Sequence, residues 1–192
     1  MRLRVLILAV LLFPRPAFPA DLKGNWELQK CELTYTVVHP LHTVHGKSLS
    51  AKGKGVCYGR DCDFLVAVPV KSFDSGDNNR DLHMLQTVRA GTYPMIQVHV
   101  KVVGGLEKKT PKKLTIKAVV GFAGKEATYR NIQLDVLEWT PGEAHLAGTL
   151  PLTLKDFEIP APSLLTMPIQ NEIPVKMDMI WKRAAQKKEK GK

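Results

Sequence analysis

Three histidines lie close together in the first quarter of the chain. His39, His42 and His45 recur every three residues, and His83 could join them as ligands for copper, nickel or zinc. Pro40 disfavours helix at His39, so the spacing does not by itself bring the rings to one point. No carboxylate stands beside them to orient the rings, as metal-bound histidines commonly require. The segment therefore favours structural or surface histidines, with a metal-binding module as the alternative.

A second cluster could supply an acid/base pair. Asp81 and His83 stand two residues apart in a segment of helical pattern, and residues two apart on a helix face different directions. No serine or cysteine in a nucleophile motif accompanies them, so the sequence predicts that the protein is not an enzyme. We expect Arg80 and Asp81 to anchor the start of the helix. Arg80 should be held by a carboxylate or by loop carbonyls and should contribute strongly to stability.

The cysteines predict one disulfide and one free thiol. Cys57 and Cys62 flank four residues that can form a hairpin loop, and opposite positions on paired strands are close enough for a bridge. Closing so small a ring should stabilise the fold by about 2 kcal/mol. Cys31 begins an alternating strand and is expected to be a buried, reduced residue. This spacing is not a zinc signature.

The dominant pattern along the chain is an alternation of apolar and polar residues, which is typical of β-strands. It recurs in seven segments, and a more polar eighth is expected at residues 47–56. The seven are 31–37, 64–70, 96–102, 114–120, 132–136, 146–154 and 173–181. Short strands separated by turn signals predict an all-β fold, a sandwich or an antiparallel barrel. About eight strands would enclose an interior that holds packed side chains or one small ligand.

One segment has the helical period instead. Residues 79–90 place Leu82, Leu85 and Val88 on one stripe, and Gly91 is suited to end the helix. The stretch from Pro160 to Pro168 has no strand pattern and is expected to be a long connection. The sequence thus predicts a barrel crossed by one short helix.

The first twenty residues have the layout of a secretory signal peptide. Arg2 and Arg4 precede a short apolar run, and small or turn-forming residues follow as far as Ala20. The run is too short to cross a bilayer as a helix. We therefore expect a periplasmic or secreted protein, without stable membrane insertion once residues 1–20 are removed.

The formal net charge of +10 is concentrated at the two ends of the chain. Residues 1–20 and the tail 182–192 hold nine of the 28 basic residues, and the domain at 21–181 is close to neutral. A nucleic-acid-binding protein carries its basic charge on the folded surface, so no nucleic-acid partner is expected. The tail is predicted to be a solvated, disordered terminus.

Several motifs occur in the order found in one protein family. Val70–Gly76 followed by Arg80-Asp81-Leu82-His83-Met84 resembles the signature of the YceI-like periplasmic polyisoprenoid-binding proteins. Weaker matches are the strand Leu33–His39, Tyr93-Pro94, Leu114-Thr115-Ile116 and Lys155-Asp156-Phe157. The resemblance covers about Cys31 to Trp181. Departures occur at Lys117 to Gly121 and at Glu158, and they leave the identity of any ligand open.

The resemblance implies a lipocalin-like barrel that holds an isoprenoid or quinone chain in an apolar bore, without catalysis and without a cofactor. The ligand would contact inward-facing residues, with His39, Arg80, Asp81 and His83 as motif residues. The predicted lining residues are Tyr35, Val37, Phe64, Val66, Leu82, Leu85, Ile96, Val98, Ile116 and Met179. A ligand-free barrel acting in protein interaction or stress protection is a further alternative, and a homodimer stays open.

Overall fold

The computed structural model describes residues 23–59, 61–103, 111–164 and 166–185. Within these ranges the chain forms eleven strands, one α-helix and two short 3₁₀ turns, Val70–Ser72 and Lys155–Phe157. The strands and the helix in chain order are β1 Gly24–His39, β2 His42–Ser48, β3 Lys52–Tyr58, β4 Asp61–Pro69, α1 Asn78–Thr87, β5 Met95–Val102, β6 Lys113–Phe122, β7 Lys125–Trp139, β8 Glu143–Thr153, β9 Ser163–Leu164, β10 Met167–Pro168 and β11 Glu172–Arg183.

Eight of the strands close into an antiparallel barrel. They are hydrogen-bonded in the order β11-β8-β7-β6-β5-β4-β3-β1, and β1 pairs with β11 to complete the ring. The predicted all-β, lipocalin-like barrel with one helix is therefore confirmed. Closure leaves no free edge in the ring, because each of its strands has a neighbour on both sides.

Different parts of the first strand pair with β3 and with β2, which the sequence did not reveal. Its beginning pairs with β3, while Leu33–His39 pairs with β2 in a hairpin that turns at Pro40 and Leu41. A single polar strand at residues 47–56 was predicted here, and the structure instead has β2 and β3. Most residues of β2 are polar, and β3 is rich in glycine and lysine, so neither strand shows the apolar alternation from which strands are predicted.

The helix begins one residue before the predicted range 79–90 and ends three residues before its end. Asp77 caps its start, with one side-chain oxygen accepting from the backbone N–H groups of Asn79 at 2.9 Å and Arg80 at 3.1 Å. The helix ends ahead of Arg89, which adopts the left-handed conformation with φ 55°. Gly91 was expected to end the helix, and Arg89 does so two residues earlier. Its guanidinium donates to the Ala123 carbonyl at 2.6 Å.

The ends of the described chain lie at one end of the barrel. Gly24 pairs with Cys57, and β11 continues to Arg183, two residues beyond the predicted end of the domain at Trp181. The predicted signal peptide at 1–20 and residues 186–192 of the predicted tail lie outside the described residues. Within the described ranges, no helix is long and apolar enough to cross a membrane.

Candidate functional site

The interior of the barrel contains a cavity made of two adjoining chambers. The inner chamber has a volume of about 140 Å³ and the outer chamber about 420 Å³. Phe73, Ile96, Leu152 and Val175 line both chambers, so the two meet at this level. Small-molecule sites in proteins span about 300–1,000 Å³, and the outer chamber alone falls within that range.

The inner chamber is lined entirely by apolar and sulfur-containing side chains. Successive side chains of a strand point to opposite faces, so each inward-facing row is supplied by every second residue. On β5, Ile96, Val98 and Val100 face inward, while Gln97 and His99 are exposed. The predicted residues that line this chamber are Phe64, Val66, Ile96, Val98, Ile116 and Met179.

All three tryptophans of the chain line the inner chamber. Trp26 belongs to β1, Trp139 to β7 and Trp181 to β11, and these parts of the three strands lie at the end of the barrel farthest from α1. Trp26 and Trp181 are buried. This end of the cavity is therefore closed to solvent.

The outer chamber has apolar walls and a polar rim beneath α1. The predicted residues Tyr35 and Val37 contribute to its walls, with Phe122 opposite. Its polar lining residues are Asp77, Asn79, Arg80, His83, Thr87 and Thr153. Asn79, His83 and Thr87 are spaced by four residues, which places them on one face of the helix.

Two predicted lining residues, Leu82 and Leu85, lie outside both chambers. Leu82 is 55% exposed and lines neither chamber, so the structure places it away from the other predicted lining residues. Leu85 packs against the core cluster next to the outer chamber without lining it. The helix and its C-terminal cap residue contact the core of the barrel through Met84, Leu85 and Val88, whereas Leu82 is exposed.

The arginine–aspartate pair holds the loop before the helix. Arg80 donates from Nη2 to the Ser75 carbonyl at 3.1 Å, and the Asp81 carboxylate accepts from the Ser75 N–H at 3.1 and 3.2 Å. The expected loop-carbonyl partner of Arg80 is therefore present. The side chain is 44% exposed, however, and its ion pair with Asp77 is long at 4.0 Å. An exposed pair contributes about 1 kcal/mol or less, which corrects the expectation of a large stabilising effect.

The histidines of the first motif are not gathered around one point. His39 is buried, its Nε2 donates to the Met167 carbonyl at 3.0 Å, and its Nδ1 accepts from the Leu41 N–H at 3.2 Å. His45 instead forms a hydrogen bond with Thr36 on the neighbouring strand. In the described part of the chain, no three His, Cys, Asp or Glu side chains are grouped as metal ligands. His39 ties the β1–β2 hairpin to β10.

The cysteines have the predicted pairing. Cys57 and Cys62 form a disulfide across the β3–β4 hairpin, and Cys31 is free and buried. All three line the inner chamber. Burial raises the pKa of the Cys31 thiol to about 12, and the nearby negative charge of Asp178 adds to this shift.

Comparison with known proteins identifies the fold. No protein-family model and no curated protein matches the sequence. A polyisoprenoid-binding domain from Saccharophagus degradans, implicated in plant cell wall breakdown, is 16% identical, with a TM-score of 0.69 over 83% of this chain and 98% of that one. BcnA from Burkholderia cenocepacia is 15% identical, with a TM-score of 0.65 over 78% and 95%.

A YceI protein from Campylobacter jejuni is 14% identical, with a TM-score of 0.52 over 67% of this chain and 75% of that one. The class defined by the fold is thus a lipocalin-like antiparallel barrel with an internal cavity. The chain has the YceI-like fold, in agreement with the family resemblance of its motifs.

Proposed function

We propose that this protein binds an amphiphilic isoprenoid or quinone-type lipid in the bacterial envelope and does not catalyse a reaction. The observation that carries the proposal is the shape and chemistry of the cavity. An inner chamber with only apolar and sulfur-containing lining opens into an outer chamber with a polar rim. An apolar tail would occupy the inner chamber and a polar headgroup the rim.

The apolar walls can supply the binding free energy. Each methylene moved out of water contributes about 0.8 kcal/mol. A tail with roughly twenty buried carbons would gain on the order of 15 kcal/mol before the cost of immobilising it. No catalytic or metal group is needed for such binding.

The rim suits a headgroup with hydrogen-bond acceptors. Asn79, Arg80 and His83 can each donate a hydrogen bond into the outer chamber, whereas the Thr87 hydroxyl donates to the His83 carbonyl at 2.8 Å. Quinone carbonyls and the oxygens of a phosphate or alcohol are acceptors of this kind. The name of the Saccharophagus degradans domain, which describes it as polyisoprenoid-binding, supports the same class of ligand for this chain.

The residues that could have formed a catalytic pair have other roles. The Asp81 carboxylate is occupied by the Ser75 N–H, whereas His83 is exposed on the rim. The disulfide supports an oxidising compartment, where such bonds persist, and the pattern of residues 1–20 supports export. We therefore propose that the protein acts in the periplasm or outside the cell.

A pair of substitutions on β5 tests the proposal. Val98→Phe adds a ring inside the cavity, and Gln97→Phe adds the same ring on the exposed face of the strand. Titration with a prenylated benzoquinone can be followed by quenching of the three tryptophans that line the inner chamber. We expect Val98→Phe to weaken binding at least tenfold and Gln97→Phe to bind as the parent does, with both variants folded by circular dichroism. Equal binding by all three proteins would place the ligand outside the barrel.

A further inference from the structure

The face of β3 that points into the barrel carries glycine at positions 53 and 55. Gly53 and Gly55 alternate with Lys52 and Lys54, so the inner face of this strand lacks side chains at two successive positions. Aromatic rings take that space. A Cβ atom on Gly55 would collide with the Phe64 ring, and one on Gly53 would lie 2.7 Å from the Trp181 ring.

Three aromatic rings from neighbouring strands lie next to these glycines. Phe64 and Trp181 meet edge to face, with ring centroids 4.8 Å apart. Trp26 lies opposite Gly55 in the β1–β3 register, and the Arg183 guanidinium lies 5.7 Å from the centre of its ring. We call Trp26, Phe64 and Trp181 the aromatic floor.

The floor belongs to the closed end of the cavity. All three of its residues line the inner chamber, and Trp26 and Trp181 are buried. The disulfide between Cys57 and Cys62, which is also buried, lines the same end. A tail that enters from the rim beneath α1 therefore meets the rings last.

We propose that the aromatic floor sets the longest apolar tail that the site takes up, an inference that rests on the proposed function. Carbons that fit between the rim and the floor leave water and add to the affinity. Carbons beyond that length stay outside the barrel and add nothing. Because the glycines of β3 have no side chains, they leave room for the rings of the floor to lie across the bore.

Substitutions on β4 can make the cavity either longer or shorter. Phe64→Ala removes one ring, and Gly55 opposite it has no side chain to refill the space. Val66→Phe places a ring two residues nearer the rim, about 6.8 Å along the strand and roughly 5 Å along a barrel axis from which strands tilt by about 40°. Leu65→Ala is the matched control, because Leu65 lies between them and is 54% exposed on the outer face.

The test is a binding series of prenyl alcohols that differ by one isoprene unit. Dissociation constants are measured by native mass spectrometry for the parent and the three variants, with thermal melts as a check on folding. For the parent, each added unit should tighten binding roughly tenfold or more until a limiting length, after which the constant stops falling. Phe64→Ala should move that limit to longer alcohols by about one unit, Val66→Phe should move it to shorter ones, and Leu65→Ala should leave it unchanged.

The outcomes separate this inference from the proposed function. If the parent binds prenyl alcohols and its limit stays the same in both Phe64→Ala and Val66→Phe, the floor does not set the length and the inference is wrong. If the parent binds no alcohol of any length, the inference is wrong, and if it also binds no prenylated benzoquinone, the proposed function fails as well. If Phe64→Ala does not fold, the limiting length is measured in Phe64→Leu instead. The opposite shift expected in Val66→Phe then tests the inference independently.

Discussion

Some apolar side chains inside the barrel are only half-buried, and this distinguishes the interior from a filled core. Ile96, Val98 and Val100 point inward from β5 but keep part of their surface accessible, because they border the cavity. Side chains in a packed core are normally enclosed by neighbours on all sides. These three side chains can therefore contact a ligand without first moving apart.

The Cys31 thiol should be chemically inert in the folded protein. Burial raises its pKa to about 12, so almost none of it is thiolate at neutral pH, and the thiolate is the nucleophile. We expect iodoacetamide to label Cys31 only after unfolding, as measured by mass spectrometry with and without denaturant. Labelling at the same rate in the native protein would contradict the burial of this side chain.

Replacing Arg80 should affect stability little. Its side chain is 44% exposed and donates to a loop carbonyl, so Arg80→Ala should lower the free energy of unfolding by about 1 kcal/mol or less. Urea denaturation measures this directly. A loss of several kcal/mol would mean that Arg80 acts as a buried anchor. Unchanged stability with weaker binding of a prenylated quinone would make it a headgroup contact, since it lines the outer chamber.

Sequence reasoning found many inward-facing residues of the apolar strands, Phe64 among them, and missed the packing of aromatic rings against the glycines of β3. Phe64, Val66 and Val98 follow from alternation alone, because one face of a barrel strand must be apolar. The aromatic floor depends on glycines at 53 and 55, which carry no hydrophobic signal of their own. Leu82 was misplaced because a weakly apolar helix allows more than one stripe, and packing against the barrel decides between them.

The helix is the least firmly packed element that borders the cavity. None of its residues Asn78–Thr87 is buried, and it is held at its start by Asp77 and, just beyond its end, by Val88 and Arg89. Few buried contacts allow local opening at low free energy. The helix amides should exchange with deuterium much sooner than those of β4 or β6, as measured by hydrogen–deuterium exchange. Equal protection would contradict this view of α1.

The Asp77 cap makes the local opening of α1 depend on pH. Backbone hydrogen bonds, first from Arg80 and also from Asn79, hold the pKa of Asp77 below its usual value. A lowered folded pKa means that the cap is fully effective above about pH 4 and is lost as the pH falls through the folded value. Asp77→Ala should speed exchange in α1 at neutral pH. Asp77→Asn, which also caps well, should not.

A tyrosine–aspartate hydrogen bond fixes the 3₁₀ turn Lys155–Phe157 to the barrel. The Tyr129 hydroxyl donates to Asp156 Oδ2 at 2.6 Å. Burial, together with this bond, raises the pKa of Tyr129, and the same bond lowers the pKa of Asp156. The stabilisation is therefore present between about pH 4 and 10. It is lost in acid when Asp156 is protonated and in alkali when Tyr129 ionises.

Tyr129→Phe should remove this contribution. Because Asp156 is largely exposed, we expect a loss of about 1 kcal/mol at neutral pH. Thermal melts of the parent and the variant across pH should differ most in the neutral range and converge at both extremes. A difference that does not change with pH would show that the hydroxyl contributes by packing alone.

Elements with an apolar alternation could be predicted from the sequence, and those without it could not. The strands β4, β5 and β6 fall where alternation predicted them. The β1–β2 hairpin was missed, because a polar strand is held by backbone pairing that leaves no pattern in its side chains.

The two ends of the described chain lie at the end of the barrel opposite the rim. Gly24 and Arg183 belong to the end of the barrel that carries the aromatic floor, whereas α1 and the outer chamber belong to the other. The ligand would thus enter from the side away from both ends of the described chain. The closed ring and its cavity follow from eight strands in one antiparallel sheet.

If the barrel carries an apolar tail inside it, native mass spectrometry of protein purified from its own host should detect that ligand. We expect a one-to-one complex whose added mass disappears after organic extraction and belongs to a compound with a long apolar chain. The extracted protein should bind a prenylated quinone again, with quenching of its tryptophans. Bare protein that also binds no prenylated quinone on titration would show that the barrel does not carry such a tail.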